Sequence, residues 1–209
     1  MIYDISPPLT EDLKVWPGDT PLRRRLLTER KRDAASKTSA IESTVHLGAH
    51  ADAPSHYGSD RPSIGECDLE PYLGPCQVIR LNVPRRSRIT PDIFKTPIIA
   101  QRLLLATGTF PDHTNFNEDF AALSPELIEV LHRRGVKLVG IDTPSVDLYE
   151  DDSLAAHKAA LNNGVAILEG LLLDRVHEGM YELIALPLRL MGFDASPVRA
   201  ILRTPNTYM

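Results

Sequence analysis

The chain has 209 residues, 43% of them hydrophobic and 24% charged, which are ordinary globular proportions with enough apolar material for a sizeable core. The length fits one large domain or two small ones; a single domain over 1–209 is expected. The formal net charge is −5 and the basic runs, such as Arg23-Arg24-Arg25, are short, so a nucleic-acid-binding surface is not expected.

The first residues, Met1-Ile-Tyr-Asp-Ile-Ser-Pro-Pro, show neither a basic stretch nor an apolar stretch of the signal-peptide kind. The chain has no run of 18 apolar residues, so no membrane span is expected, and the expected location is cytoplasmic. Pro7, Pro8 and Pro17 early on, and Pro54, Pro62, Pro71 and Pro75 later, predict extended or turned segments rather than helices. Trp16, the only tryptophan, sits in the loop-like Val15-Trp16-Pro17-Gly18-Asp19. There it suits either stacking on a flat aromatic molecule or a hydrophobic plug.

His46-Leu-Gly-Ala-His50-Ala-Asp52-Ala-Pro-Ser-His56 gathers three of the seven histidines and an aspartate in eleven residues. These are ligand types for zinc and similar divalent ions. All four fall at even positions, so an extended chain directs them to one face, which a helix does not. A straight strand over that stretch spans roughly 33 Å, whereas ligands lie about 2 Å from one ion. The chain must therefore bend, and Gly48 permits it. The expected structure is a strand end, favoured by Thr44 and Val45, running into a tight loop fixed by Pro54. Cys67 and Cys76 have no metal-site spacing and read as reduced structural thiols.

Residues 76–83 alternate like a strand, and 102–107 form a short apolar run ending at Gly108, as a buried strand does. Ser124-Pro125-Glu126 opens a helix with cap, proline and acid in order. Leu127, Ile128, Val130 and Leu131 supply its apolar face and Gly135 ends it. Val136–Ile141 is the next strand, and the strand–helix–strand order predicts a parallel pair. Ser153 is expected to cap a helix through Leu161, ended by Asn163-Gly164. His157 lies on it among Ala155, Ala156, Ala159 and Ala160, as a ligand or as a half-buried helix histidine. Val165–Leu173 reads as a strand entering a loop. Its Glu169 is either a buried carboxylate, costly unless paired or metal-bound, or a group on an exposed edge. Tyr181–Leu186 and Val198–Leu202 complete the strands. The fold class is α/β with a mixed sheet. His132 and His177 read as surface or capping residues, and His113 as ordinary.

The 46–56 stretch resembles the HxGxHxDxPxH signature of the cyclase-like metal hydrolases. Ala49 after the glycine, where much of that family has Thr, is similar to their arylformamidase branch. The resemblance continues in Ile141-Asp-Thr-Pro-Ser-Val-Asp147, in His157 and in Ile167-Leu-Glu-Gly-Leu-Leu-Leu-Asp174, and runs from Asp4-Ile5-Ser6 to Pro197-Val-Arg199. It implies a swivelling β/α/β fold and two divalent ions per subunit, with Zn2+ the first choice from the ligand types. One ion would be held by His46, His50 and Asp52, the second by Asp52 and His157, with Glu169 reaching both. It implies Trp16 as a substrate contact; His56, past Pro54 and with a side chain that titrates near neutral pH, reads as a proton shuttle or as a hydrogen-bond partner of a ligand. The implied activity is hydrolysis of N-formyl-L-kynurenine, an aromatic formamide, to L-kynurenine and formate in tryptophan catabolism by a homodimer. Two alternatives stand beside it: a family hydrolase acting on another cyclic imide, lactam or ester, and a non-catalytic metal-containing binding protein.

Overall fold

The computed structural model describes residues 1–28 and 36–205. In chain order the strands and helices are β1 (Ile2–Asp4), β2 (Arg23–Thr28), β3 (Thr38–Glu42), β4 (His50–Asp52), α1 (Pro54–Tyr57), β5 (Leu73–Arg80), β6 (Arg88–Ile89) and β7 (Arg102–Ala106). They continue as β8 (Ala122–Leu123), α2 (Pro125–Arg133), β9 (Leu138–Ile141), α3 (Ala155–Asn163), β10 (Ala166–Glu169), β11 (Gly179–Ile184), β12 (Ala195–Pro197) and β13 (Ile201–Arg203).

Nine strands form one mixed sheet in the order β1-β13-β11-β5-β7-β9-β10-β4-β12. Its middle, β5-β7-β9-β10, is parallel, and its two flanks are antiparallel. The sequence predicts one last strand over 198–202; instead there are two, on opposite flanks. Residues 198–200 carry the chain from β12 at one edge to β13 near the other, with Val198 N donating to Ala49 O and Ala200 O accepting from Ile5 N. The sheet therefore curls until its ends lie side by side.

Strand alternation sorts the core into two layers. Leu103, Leu105, Val139, Ile141 and Ile167 face α2 and α3, meeting Leu127, Ile128, Leu131, Ala156 and Ala160. Leu104, Leu138 and Leu168 point the other way, into the curl, and pack with Val78, Leu171 and Leu183. α2 starts as its sequence predicts: Ser124 Oγ accepts from Leu127 N at 3.1 Å, and Pro125 occupies the first turn, where its missing N–H costs nothing.

α3 does not start as predicted. Ser153 bonds back to Asp151, and the helix begins after Leu154, a left-handed residue with φ of 51°. Its free N–H groups are met by the Asp147 carboxylate, which accepts from Ala156 N at 2.9 Å and His157 N at 3.0 Å. A carboxylate so placed also suits the positive end of the helix. Two proline segments differ as well: Pro54 opens α1, and Pro71 lies in a single 3-10 turn, Glu70–Tyr72. Among the described residues no helix is long and apolar enough to cross a membrane.

Candidate metal centre and active site

The bend expected in the 46–56 stretch is present, but its parts are arranged differently. Thr44 and Val45 are not strand, since β3 ends at Glu42. His46 lies in a bend, Gly48 turns the chain at φ of +58°, and the strand is His50–Asp52, so these two side chains share a face. Pro54 then starts α1, which carries His56. The backbone at Gly48 also needs a bare neighbour: a Cβ on Gly170 would collide with the Gly48 carbonyl. That glycine follows Glu169 directly, so the close approach sets Glu169 beside β4.

The sheet register completes the cluster. Glu169 on β10 is the cross-strand partner of His50 on β4, and Glu169 Oε2 lies 3.1 Å from His50 Nε2. Glu169 Oε1 lies 3.3 Å from His157 Nε2. Asp52 Oδ1 is 3.2 Å from His46 Nδ1 and 3.5 Å from His50 Nε2, while its Oδ2 is 3.2 Å from His157 Nε2. Each carboxylate therefore spans two sets of imidazole nitrogens. The exposed-edge alternative for Glu169 is excluded, because its relative exposure is 3%.

Each of these three histidines presents one nitrogen to the cluster and has the other held outside it. His50 Nδ1 is 2.8 Å from Gly48 O. His157 Nδ1 is 2.8 Å from Asp147 Oδ2, and His46 Nε2 is 2.9 Å from Asp194 Oδ2. This is how outer partners set the tautomer of a metal-bound histidine. Two buried atoms of the cluster, His50 Nε2 and Asp52 Oδ1, meet their neighbours only at ion-pair distance and lack a partner in hydrogen-bond geometry. Such orphans cost about 1–3 kcal/mol each when nothing binds them. The donor spacings also match the edge of a tetrahedron, about 3.3 Å for ligands roughly 2 Å from a centre. The residues fit a divalent metal centre.

The charges fit it too. Burial disfavours charge on Asp52, yet His157, His46 and His50 hold its carboxyl well below the usual range. Burial and the Asp52 charge oppose ionisation of Glu169, and its close contacts with His157 and His50 outweigh them, so its carboxyl is lowered. Burial likewise works against a charged His46, but Asp52 and Asp194 raise it to about 9. His157 is raised well above its ordinary value, since Asp147, Asp52 and Glu169 together overcome burial. The site is an anionic well that gathers protons where no metal neutralises it.

His56 stands at the edge of the cluster. Its ring centroid is 4.2 Å from that of His46, and its Nδ1 is 3.3 Å from Asp194 Oδ2. A ring nitrogen of His56 also comes within 4.8 Å of donor atoms of His46 and Asp52, so ligation competes with shuttling as its role. Above the cluster opens a cavity of about 250 Å3 walled by Trp16, Phe110, Phe116 and Leu154. Trp16 packs within an aromatic group, with its ring centroid 5.0 Å from Tyr149 and 5.7 Å from Phe116.

Sequence reasoning missed three participants. Asp194 comes from 148 residues beyond His46 and carries no local motif. Asp147 was visible only as part of a matched motif, without a role. His113, read as ordinary, lines the cavity with its ring 5.4 Å from Phe110.

The Cyclase family profile matches residues 3–148 of this chain. Among solved structures, a potential metal-dependent hydrolase with cyclase activity is 29% identical, covers 98% of this chain and 99% of its own length, and superposes with a TM-score of 0.85. A predicted metal-dependent hydrolase from Bacillus stearothermophilus is 28% identical over 97% of each chain, with a TM-score of 0.82. Isatin hydrolase A of Labrenzia aggregata is 25% identical, covers 98% of this chain and 94% of its own, and has a TM-score of 0.85.

Proposed function

This chain belongs to the Cyclase family, and on that premise we propose that it is a metal-dependent hydrolase of aryl amides, with N-formyl-L-kynurenine as substrate. The observation that carries this reading is the set of His46, His50 and His157, each with one nitrogen turned on Asp52 or Glu169 and the other held outside, at the floor of an aromatic-walled cavity. His46, His50 and Asp52 would hold one ion, Asp52 and His157 a second, with Glu169 between them. Zinc suits the donor types.

Bound divalent ions supply Lewis acidity, which acidifies water and polarises an amide carbonyl. The chain's own residues do the rest. Trp16 and Phe116, packed edge to face, form one wall for the aryl ring and leave the amide at the cavity floor. Asp194 accepts from one side of His56 and so leaves the other ring nitrogen to take and return a proton. An anilide anion is a poor leaving group, and a proton delivered by His56 as the C–N bond breaks removes that barrier.

A second reading has its own support. The similar isatin hydrolase acts, by its name, on a cyclic aryl amide. Isatin and N-formylkynurenine share an aryl N–C(=O) bond with a carbonyl ortho to the nitrogen. Rates on both substrates, with and without a chelator, test the two readings. Turnover of N-formylkynurenine well above that of isatin, abolished by chelation, is the expected result.

A further inference from the structure

The cavity above the metal cluster is lined, besides its apolar wall, by two residues of opposite charge that the chemistry described so far does not use: Lys14 and Asp19. Both are exposed, whereas His50 and Glu169 at the floor are 3% exposed. The cavity therefore runs from a buried cluster, past aromatic walls, to a mouth bearing a cation and an anion.

The two are held in place but not against each other. Lys14 N donates to His113 O at 2.9 Å, which ties the 14–19 loop to the opposite lining segment, and Asp19 N donates to Trp16 O at 2.9 Å, which closes a turn within the loop. Asp19 Oδ2 accepts from Thr44 Oγ1 at 3.1 Å, and that hydroxyl in turn accepts from His46 N at 3.3 Å. Among the described residues, the Lys14 ammonium and Asp19 Oδ1 have no hydrogen-bond or ion-pair partner. Opposite charges that line one mouth and leave each other unpaired suit a ligand carrying both charges.

We infer that Lys14 and Asp19 form a subsite for the α-amino-acid head of the substrate, Lys14 meeting the carboxylate and Asp19 the ammonium. This rests on the N-formyl-L-kynurenine reading and assigns to two residues the recognition of that substrate's zwitterionic head. Isatin, flat and uncharged, has nothing for either group. The two residues are specificity determinants, remote from the bond that breaks.

Three substrates test it: N-formyl-L-kynurenine; its analogue without the amino group, 4-(2-formamidophenyl)-4-oxobutanoate; and N-(2-acetylphenyl)formamide, which keeps the formanilide and the ortho ketone but has no charged head. Lys14→Met should raise KM roughly tenfold or more for the two carboxylates, the scale of one charge-assisted hydrogen bond, and leave the uncharged substrate within about twofold. Asp19→Asn, whose amide oxygen can still accept from Thr44, should raise KM for N-formyl-L-kynurenine alone. In both variants kcat should stay near wild type. Variants that move all three substrates alike, or none, overturn the subsite, as does a wild-type enzyme with equal KM for the charged and uncharged formanilides. A wild type that cleaves none of the three overturns the aryl-amide reading itself, and the subsite with it.

Discussion

Glu169 lies directly across the β4–β10 pair from His50, with Oε2 3.1 Å from Nε2. The position of this carboxylate is thus a consequence of sheet register, and its other oxygen reaches His157 on α3 and the N–H of Val146, 2.6 Å away. One residue couples a strand, a helix and a loop at the candidate metal centre.

Glu169→Gln tests that coupling. An amide keeps the shape but must aim its NH2 either at the Val146 N–H or into the cluster, and it leaves cationic charge uncompensated. Elemental analysis of the saturated wild type should show two divalent ions per chain, and fewer in the variant. Activity should fall by at least the roughly 10–100-fold that loss of a supporting partner costs. A saturated, active wild type with one ion per chain would refute the two-ion arrangement, and a Gln variant with full metal and normal rate would remove Glu169 from the site.

Metal binding should expel protons. Without metal, His46 holds its proton up to about 9 and His157 is raised well above its usual value; ions displace both protons. Calorimetric titration of metal-stripped protein at neutral pH, in buffers of different ionisation enthalpy, should show on the order of two protons released per chain. The raised value of His46 stabilises the metal-free fold fully below 6.5, and that contribution is lost as pH rises through about 9. Melting temperatures of stripped protein should therefore fall across this interval more than those of loaded protein; parallel curves would contradict the protonation scheme.

Asp147 and Ser153 give a contrasted pair. Asp147 accepts from two helix N–H groups and from His157 Nδ1, and it lies 3.1 Å from Arg88 Nη1. Asp147→Ala should destabilise the protein by roughly 1–3 kcal/mol for each group left unsatisfied and weaken metal binding about 10–100-fold. Ser153→Ala, at an exposed bond to Asp151, should stay within about 0.5 kcal/mol. Burial opposes the Asp147 charge, but His157 and the backbone donors hold its carboxyl at about 2. Its contribution is present above 3.8 and is lost as pH falls through about 2. Chemical denaturation of the two variants decides between Asp147 and Ser153 as the cap of α3.

The contrast also shows what the chain reveals before it folds. His50 and Asp52 were legible because a strand alternates, so their shared face follows from spacing. The parallel pairing of β7 with β9 was legible from the strand–helix–strand order across 102–141. The cap of α3 was not: a serine in the right place lost to an aspartate several residues earlier, because Leu154 turns left-handed and brings the helix N-terminus over Asp147. His56 was expected past a turn, yet Pro54 opens a helix there. Asp194 and the mouth of the cavity depend on segments far apart in sequence, joined only by the curl of the sheet.

His56→Asn separates shuttle from ligand. If His56 moves a proton, both ions stay bound and turnover of the formanilide falls roughly 100-fold or more. A formyl ester of an activated phenol, whose leaving group needs little protonation, should lose much less. Equal losses on both argue against proton delivery to the leaving group, and loss of an ion makes His56 a ligand.

The central claim, that the cluster of His46, His50, Asp52, His157 and Glu169 is a metal centre that hydrolyses aryl amides, is tested most directly by single-substrate turnover of N-formyl-L-kynurenine. The rate would be followed for protein as purified, after chelation and dialysis, and after readdition of Zn2+ or Mn2+. Turnover should be present as purified, be lost on stripping, and return in proportion to metal restored. Turnover that survives complete removal of metal, or metal-replete protein that cleaves neither N-formyl-L-kynurenine nor isatin, would contradict it.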